Sequence, residues 1–185
     1  MWLEMSLNVK KSCFIRIGAR YSAKCCNIVY TEGQELSWTT EVRYLGVFIE
    51  AASSFKCSLD NAKRSSYRSF NSIFGRVGRL ASIELLKSKC FPVLYYSMEA
   101  CPLRKSQLKS LDFADNSALR KNFDTKSQDI VNECREIFNR LSAESTIASR
   151  RWNFLDKITV SQNKLCSIFV VDDTNELSEI RQSWR

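Results

Sequence analysis

Two carboxylates stand side by side at Asp172–Asp173, and paired carboxylates commonly hold the two metal ions of phosphoryl transfer. They fall in a polar stretch, 172–185, without hydrophobic period, which reads as a frayed tail. The chain has no histidine, so general base work would pass to a carboxylate or a lysine. The remaining acidic residues are scattered at spacings typical of solvated helix faces. No glycine-rich loop follows a strand, so a nucleotide cradle has no support. Eight cysteines are present, at 13, 25, 26, 57, 90, 101, 134 and 166, but no Cys-x-x-Cys pair and no zinc-finger spacing. They read as reduced thiols in a reducing interior, with Cys25 and Cys26 expected on opposite faces of a strand. The expectation is a non-catalytic chain that needs no metal and no cofactor.

The basic residues carry more information. The formal net charge is +8, and residues 56–90 hold Lys56, Lys63, Arg64, Arg68, Arg76, Arg79, Lys87 and Lys89 against Asp60 and Glu84. Six of the eight excess charges thus sit in one window. A local basic stripe favours polyanionic partners; a solvated helix face is the alternative on charge alone. With Phe70 at the centre of an apolar face and about 100° per residue, Arg64, Arg68, Arg76 and Arg79 fall on the opposite side. Lys63 falls near the apolar centre line, where its stem snorkels outward or its ammonium meets a specific anion.

These side chains need elements to position them. Apolar residues make up 44% and charged residues 26% of the chain, an ordinary globular balance. Five glycines and two prolines argue for helices with short connections. Residues 1–5 resemble the end of a helix whose start is missing. Short strands are expected at 13–17, 27–30, 36–38 and 42–49, a small antiparallel meander. Gly46 inside the last of them suggests a bulge or a close approach by another backbone. From residue 55 the period changes to 3.6, with Leu59, Ala62, Ser66, Phe70, Ile73, Phe74 and Val77 on one face. Gly75 and Gly78 are expected to end this helix, leaving Arg76 and Arg79 on a turn. A second helix runs from an N-cap at Ser82 to about residue 100, kinked at Pro92. Further helices are expected over 103–123, 130–141 and 145–158, the last with a small basic edge at Arg150, Arg151 and Lys157. The fold class is α+β: an N-terminal antiparallel meander or hairpin followed by a mostly helical bundle.

Three runs, in this order, carry a resemblance. Leu7-Asn8-Val9-Lys10-Lys11-Ser12 comes first, then Tyr44-Leu45-Gly46-Val47, then Phe91-Pro92-Val93-Leu94-Tyr95-Tyr96-Ser97-Met98-Glu99 within the helical region. Their order resembles the carboxyl-terminal part of a non-LTR (LINE-type) retrotransposon reverse transcriptase, over about residues 2–169. The resemblance implies a basic turn leaving the palm, a hairpin gripping the primer and a helical thumb. It implies four regions: 1–55 palm edge and primer grip, 56–123 thumb, 124–160 additional amphipathic helices and 161–185 polar tail. The polymerase's aromatic-x-Asp-Asp hairpin would lie before Met1. Phe169-Val170-Val171-Asp172-Asp173 departs from that pattern, because its aromatic is one position too far away and it follows the thumb. The family's Gly is Ser97 here, small enough to keep close helix packing.

The implied role is to hold an RNA–DNA hybrid or duplex against the missing palm and fingers, weakly and without reading sequence. Lys10 and Lys11 match the basic pair, and Tyr44, Leu45 and Gly46 match the primer-grip hairpin. Arg64, Arg68, Arg76 and Arg79 are expected at phosphates from the helical wheel alone, and Lys63 joins them as a nucleic-acid contact if its ammonium meets an anion. The alternative is a helical protein-interaction module, or a translated remnant without a selected role. Residues 2–8 lack the pattern of a signal peptide, and the apolar run 90–98 falls short of the ~20 residues a membrane span needs. An intracellular location, cytoplasmic or nuclear, is expected.

Overall fold

A computed structural model describes residues 8–29, 33–78, 83–164 and 166. The chain divides into two compact units, Met1–Asn61 and Ala62–Arg185. The fold is α+β, with two small antiparallel sheets followed by helices.

The first unit contains a two-stranded ribbon, β1 (Ile28–Val29) with β2 (Glu35–Leu36). A three-stranded meander follows: β3 (Glu41–Tyr44), β4 (Val47–Glu50) and β5 (Lys56–Ser58). The single strand expected over 42–49 is therefore two. Tyr44 faces Val47 across the pair, which leaves Leu45 and Gly46 as a two-residue loop with φ of 47° and 87°. Positive φ at both positions is the type I′ turn, whose twist matches the flanking strands. Gly46 therefore makes a hairpin and not a bulge. Lys56 lies in β5, not at the start of a helix. It sits opposite Glu50 and forms an ion pair with it, offsetting the repulsion of Glu41 facing Glu50. Residues 13–17 contribute only isolated bridges, Phe14 to Trp38 and Ile17 to Ala52. Cys25 and Cys26 precede β1 in irregular backbone and do not alternate across a strand.

Among the described residues, the α-helices that follow include α1 (Asp60–Val77), α2 (Ile83–Leu85), α3 (Phe91–Leu94), α4 (Lys105–Phe123), α5 (Gln128–Ile137) and α6 (Ala143–Val160). Gly75 stays within α1, and Gly78, at φ 64°, stops it. Arg76 accordingly occupies the last helical turn, while the N-cap expected at Ser82 lies outside the described residues. A π turn, Leu86–Cys90, joins α2 to α3. Pro92 has no N–H, and its ring would strike the carbonyl four residues back in a regular helix; the wider turn just before it relieves that crowding. Ser66 and Ser69 of α1 donate to the carbonyls of Cys90 and Lys89, each at 3.3 Å, which ties α1 to this turn. Ser97 has φ 55°, so the resemblance's glycine coincides with a left-handed backbone position rather than with close packing.

The core of the second unit includes Phe70, Leu86, Phe91, Leu94, Leu111, Leu119, Val131 and Ile147, all buried. Ser127 and Ser142 cap α5 and α6 by accepting from Asp129 N–H at 3.2 Å and Ser145 N–H at 3.1 Å. Helix α4 lies between α1 and α5. Its Ser110 and Lys121 reach α1, and its Asp112 and Asp115 reach Arg135 of α5. At about 100° per residue, the two pairs sit on nearly opposite sides of α4.

Candidate nucleic-acid interface

Helix α1 presents a polar arc in which Arg64, Ser65, Arg68, Asn71, Ser72, Gly75 and Arg76 are all exposed, bordered at its N-terminal end by the exposed carboxylate of Asp60. Its buried arc rests on Ser66 and Phe70. The two arcs separate because residues three and four apart share a face, so Phe70 packing inward turns the arginines outward. Among the described residues, ion pairs engage Lys56, Lys87, Arg135 and Arg140, and none engages Arg64, Arg68 or Arg76. Lys87 pairs with Glu84 at 2.9 Å. The basic window is thus less available than its raw charge indicates, and its outward cations are concentrated on α1.

Lys63 is half-buried and donates to Ser110 Oγ at 3.2 Å, which places its ammonium between α1 and α4. Lys121 of α4, which the sequence did not single out, adds a cation beside the arginine arc. It donates to Asn71 Oδ1 at 3.0 Å and stands 4.9 Å from the Phe74 ring centre and 5.5 Å from that of Phe70. Its position on the Ser110 side of α4 becomes evident only once α1 is packed there. Arg79 lies outside the described residues, as does the pair Asp172–Asp173.

Lys10 and Lys11 are exposed on the single 3₁₀ turn Val9–Lys11 of the first unit. Tyr44 and Leu45 project from the hairpin with 63% and 75% of their surface open. Arg43 of β3 lies over Phe48 of β4, 5.8 Å from the ring centre, holding the hairpin stem. These residues do not join the α1 arc within one compact unit.

The other polar constellation is buried. Asp115, with no exposed surface, accepts from Tyr95 Oη at 3.3 Å, Arg135 Nη2 at 3.2 Å and Arg140 Nη2 at 3.1 Å. Asp112 accepts from Arg135 Nη2 at 3.0 Å and from the Ala143 amide, at the start of α6, at 2.9 Å. Arg140 also stacks 3.8 Å over Phe91. Burial pushes the Asp115 carboxyl above the usual carboxylate range, while Arg140, Arg135 and the Tyr95 hydroxyl pull it back. Burial first, then the Asp115 charge, holds the Tyr95 phenol protonated well above the usual tyrosine range. Asp115 is closed off from water while Asp112 keeps 28% of its side chain exposed, and the two carboxylates with Arg135 and Arg140 form a charge-balanced cluster that fastens α4 to α5; Asp115 is not the solvated carboxylate that its spacing suggested. Arg150 is half-buried and donates to the Tyr95 carbonyl at 2.7 Å, so it does not form a simple basic edge.

Burial raises the Cys90 and Cys134 thiols, with Glu133 adding to the shift at Cys134. Among the described residues, no group of three or more cysteine or acidic side chains could hold a metal ion. None of their helices is long and apolar enough to cross a membrane. No protein-family model, curated protein or solved structure matches the chain.

Proposed function

We propose that this chain is a non-catalytic, nucleic-acid-holding fragment of a LINE-type reverse transcriptase, with α1 lying along an RNA–DNA hybrid or duplex. The observation that carries the reading is the arginine arc of α1. Arg64, Arg68 and Arg76 face outward without carboxylate partners among the described residues. Such contacts position a phosphate backbone without reading bases. The type I′ hairpin at Leu45–Gly46 is compatible with a primer-contacting loop, as its exposed tip presents Tyr44 and Leu45. A rival reading, a helical protein-interaction module, draws on Ile130 and Ile137, exposed along α5.

Fluorescence anisotropy with a labelled hybrid across a salt series tests the proposal. Four phosphate contacts correspond to a slope of about −4 in log affinity against log salt. Dissociation constants near ~10⁻⁴–10⁻⁶ M are expected for such non-specific contacts. Arg64→Gln with Arg68→Gln should flatten the slope by about two units, equally for unrelated sequences. Lys105→Gln with Lys109→Gln removes equal charge from exposed positions of α4 and should matter less. Equal losses from the two pairs, or affinity indifferent to salt, would favour the protein-interaction module.

A further inference from the structure

The first unit contains a second feature suited to nucleic acid. Residues 8–29 hold Lys10, Lys11, Arg16, Arg20 and Lys24 and no acidic residue. The acidic residues farther along the unit hide this segment within a nearly balanced regional charge. Loop 18–26 is held in shape from within. Arg16 Nη1 donates to the carbonyls of Arg20 at 3.1 Å and Ala23 at 2.8 Å, and Nη2 meets Cys25 Sγ. The same guanidinium lies over Trp38, 4.8 Å from the ring centre, and Trp38 Nε1 donates to the Cys26 carbonyl at 3.2 Å. Two successive turns, Tyr21 N–H to the Gly18 carbonyl and Ala23 N–H to the Arg20 carbonyl, complete the loop. One buttressing arginine therefore fixes a loop that leaves Arg20, Tyr21 and Lys24 exposed. Among the described residues, neither Arg20 nor Lys24 forms an ion pair. Glu35, across the ribbon, is engaged by Asn27 at 2.7 Å.

We propose that loop 18–26 binds single-stranded nucleic acid, with Tyr21 stacking on a base and Arg20 and Lys24 meeting the flanking phosphates. A cationic track interrupted by an exposed aromatic is the usual arrangement for single strands, because every base offers a π-face. The α1 arc has no exposed aromatic and suits a duplex backbone. The loop is preorganised, so little ordering is needed on binding. The inference uses none of the α1 residues and does not depend on the role proposed for them.

The test measures binding of the full chain to short oligothymidylate. Tyr21→Ala should weaken it about 5- to 150-fold, from the loss of ~1–3 kcal/mol of stacking per base, and Tyr21→Trp should restore it. Arg20→Gln with Lys24→Gln should flatten the salt slope by about 1.4 units. Arg16→Lys keeps the charge but removes the buttress. It should speed amide exchange across 18–26 and weaken binding more than Arg20→Lys does. Arg64→Gln with Arg68→Gln should spare oligothymidylate binding while reducing hybrid binding, which separates the two sites. Unchanged oligothymidylate affinity in Tyr21→Ala overturns the inference. So does a loss in Tyr21→Ala confined to phosphatidylserine-containing vesicles, which would make the loop a membrane contact.

Discussion

Leu45 is held at φ 47° with three quarters of its side chain in water, a conformation that costs a non-glycine residue roughly 1–2 kcal/mol. Leu45→Asn should therefore raise the melting temperature, by up to about 1 kcal/mol of stability. If the tip touches a primer, the same variant should bind hybrid less well, a stability–binding trade measurable on one sample. Ser97, at φ 55°, should likewise gain stability on replacement by glycine, with no cavity or lost core contact. Tyr95 gives a pH signature. Its phenol ionises with more difficulty folded than unfolded. Its contribution to stability is therefore complete below the unfolded value near 10 and is lost as pH rises beyond it. An alkaline titration followed by tyrosinate absorbance should show a fraction that ionises only as the chain unfolds, and Tyr95→Phe should remove that fraction.

At the scale of elements, α4 is the shared wall against which α1, α5 and α6 are fastened. Asp115→Ala would leave Arg140 without a buried counter-charge and Arg135 with Asp112 alone, and should cost about 3–5 kcal/mol. Replacing Arg140 as well should recover part of that loss, which a double-mutant cycle in urea would measure. How far this arrangement could be read beforehand follows from the range over which each signal acts. The existence of the helices was legible because the 3.6-residue period is local; the caps at Ser127 and Ser142 went unread, and α5 and α6 each begin two residues before the expected 130 and 145. The outward set of α1 was legible for the same reason, since one helix's periodicity decides it. Asp112 and Asp115 were not, because three-residue spacing looks the same on a wet face and on a buried one. The guanidinium partners of Asp115 arrive from 20 and 25 residues away. Lys56 looked helical because its pairing with Glu50 belongs to a strand register and not to any periodicity around it. The Leu45–Gly46 turn was legible only through the family resemblance, as leucine is an unusual residue for a type I′ loop.

The two units differ in how much core they possess. Among the described residues of the first unit, the buried apolar side chains are Leu36, Cys57 and Leu59; the second holds the larger core and the buried ion pairs. A 62–185 fragment should retain a cooperative thermal transition by circular dichroism, whereas 1–61 should show none. Within the second unit, charge is also sorted in space. Arg135 and Arg140 turn inward to Asp112 and Asp115, so Asp129, Glu133 and Glu136 are exposed on α5, across α4 from the arginines of α1. Charges of opposite sign therefore flank α4, and an approaching polyanion is attracted to the α1 side and repelled from the α5 side before any contact forms. Reversing Asp129 and Glu133 to lysine would make the protein more cationic yet weaken its orientational bias. Its capture by nucleic acid should quicken while the share of encounters arriving in register falls, a slower landing hidden inside a faster collision.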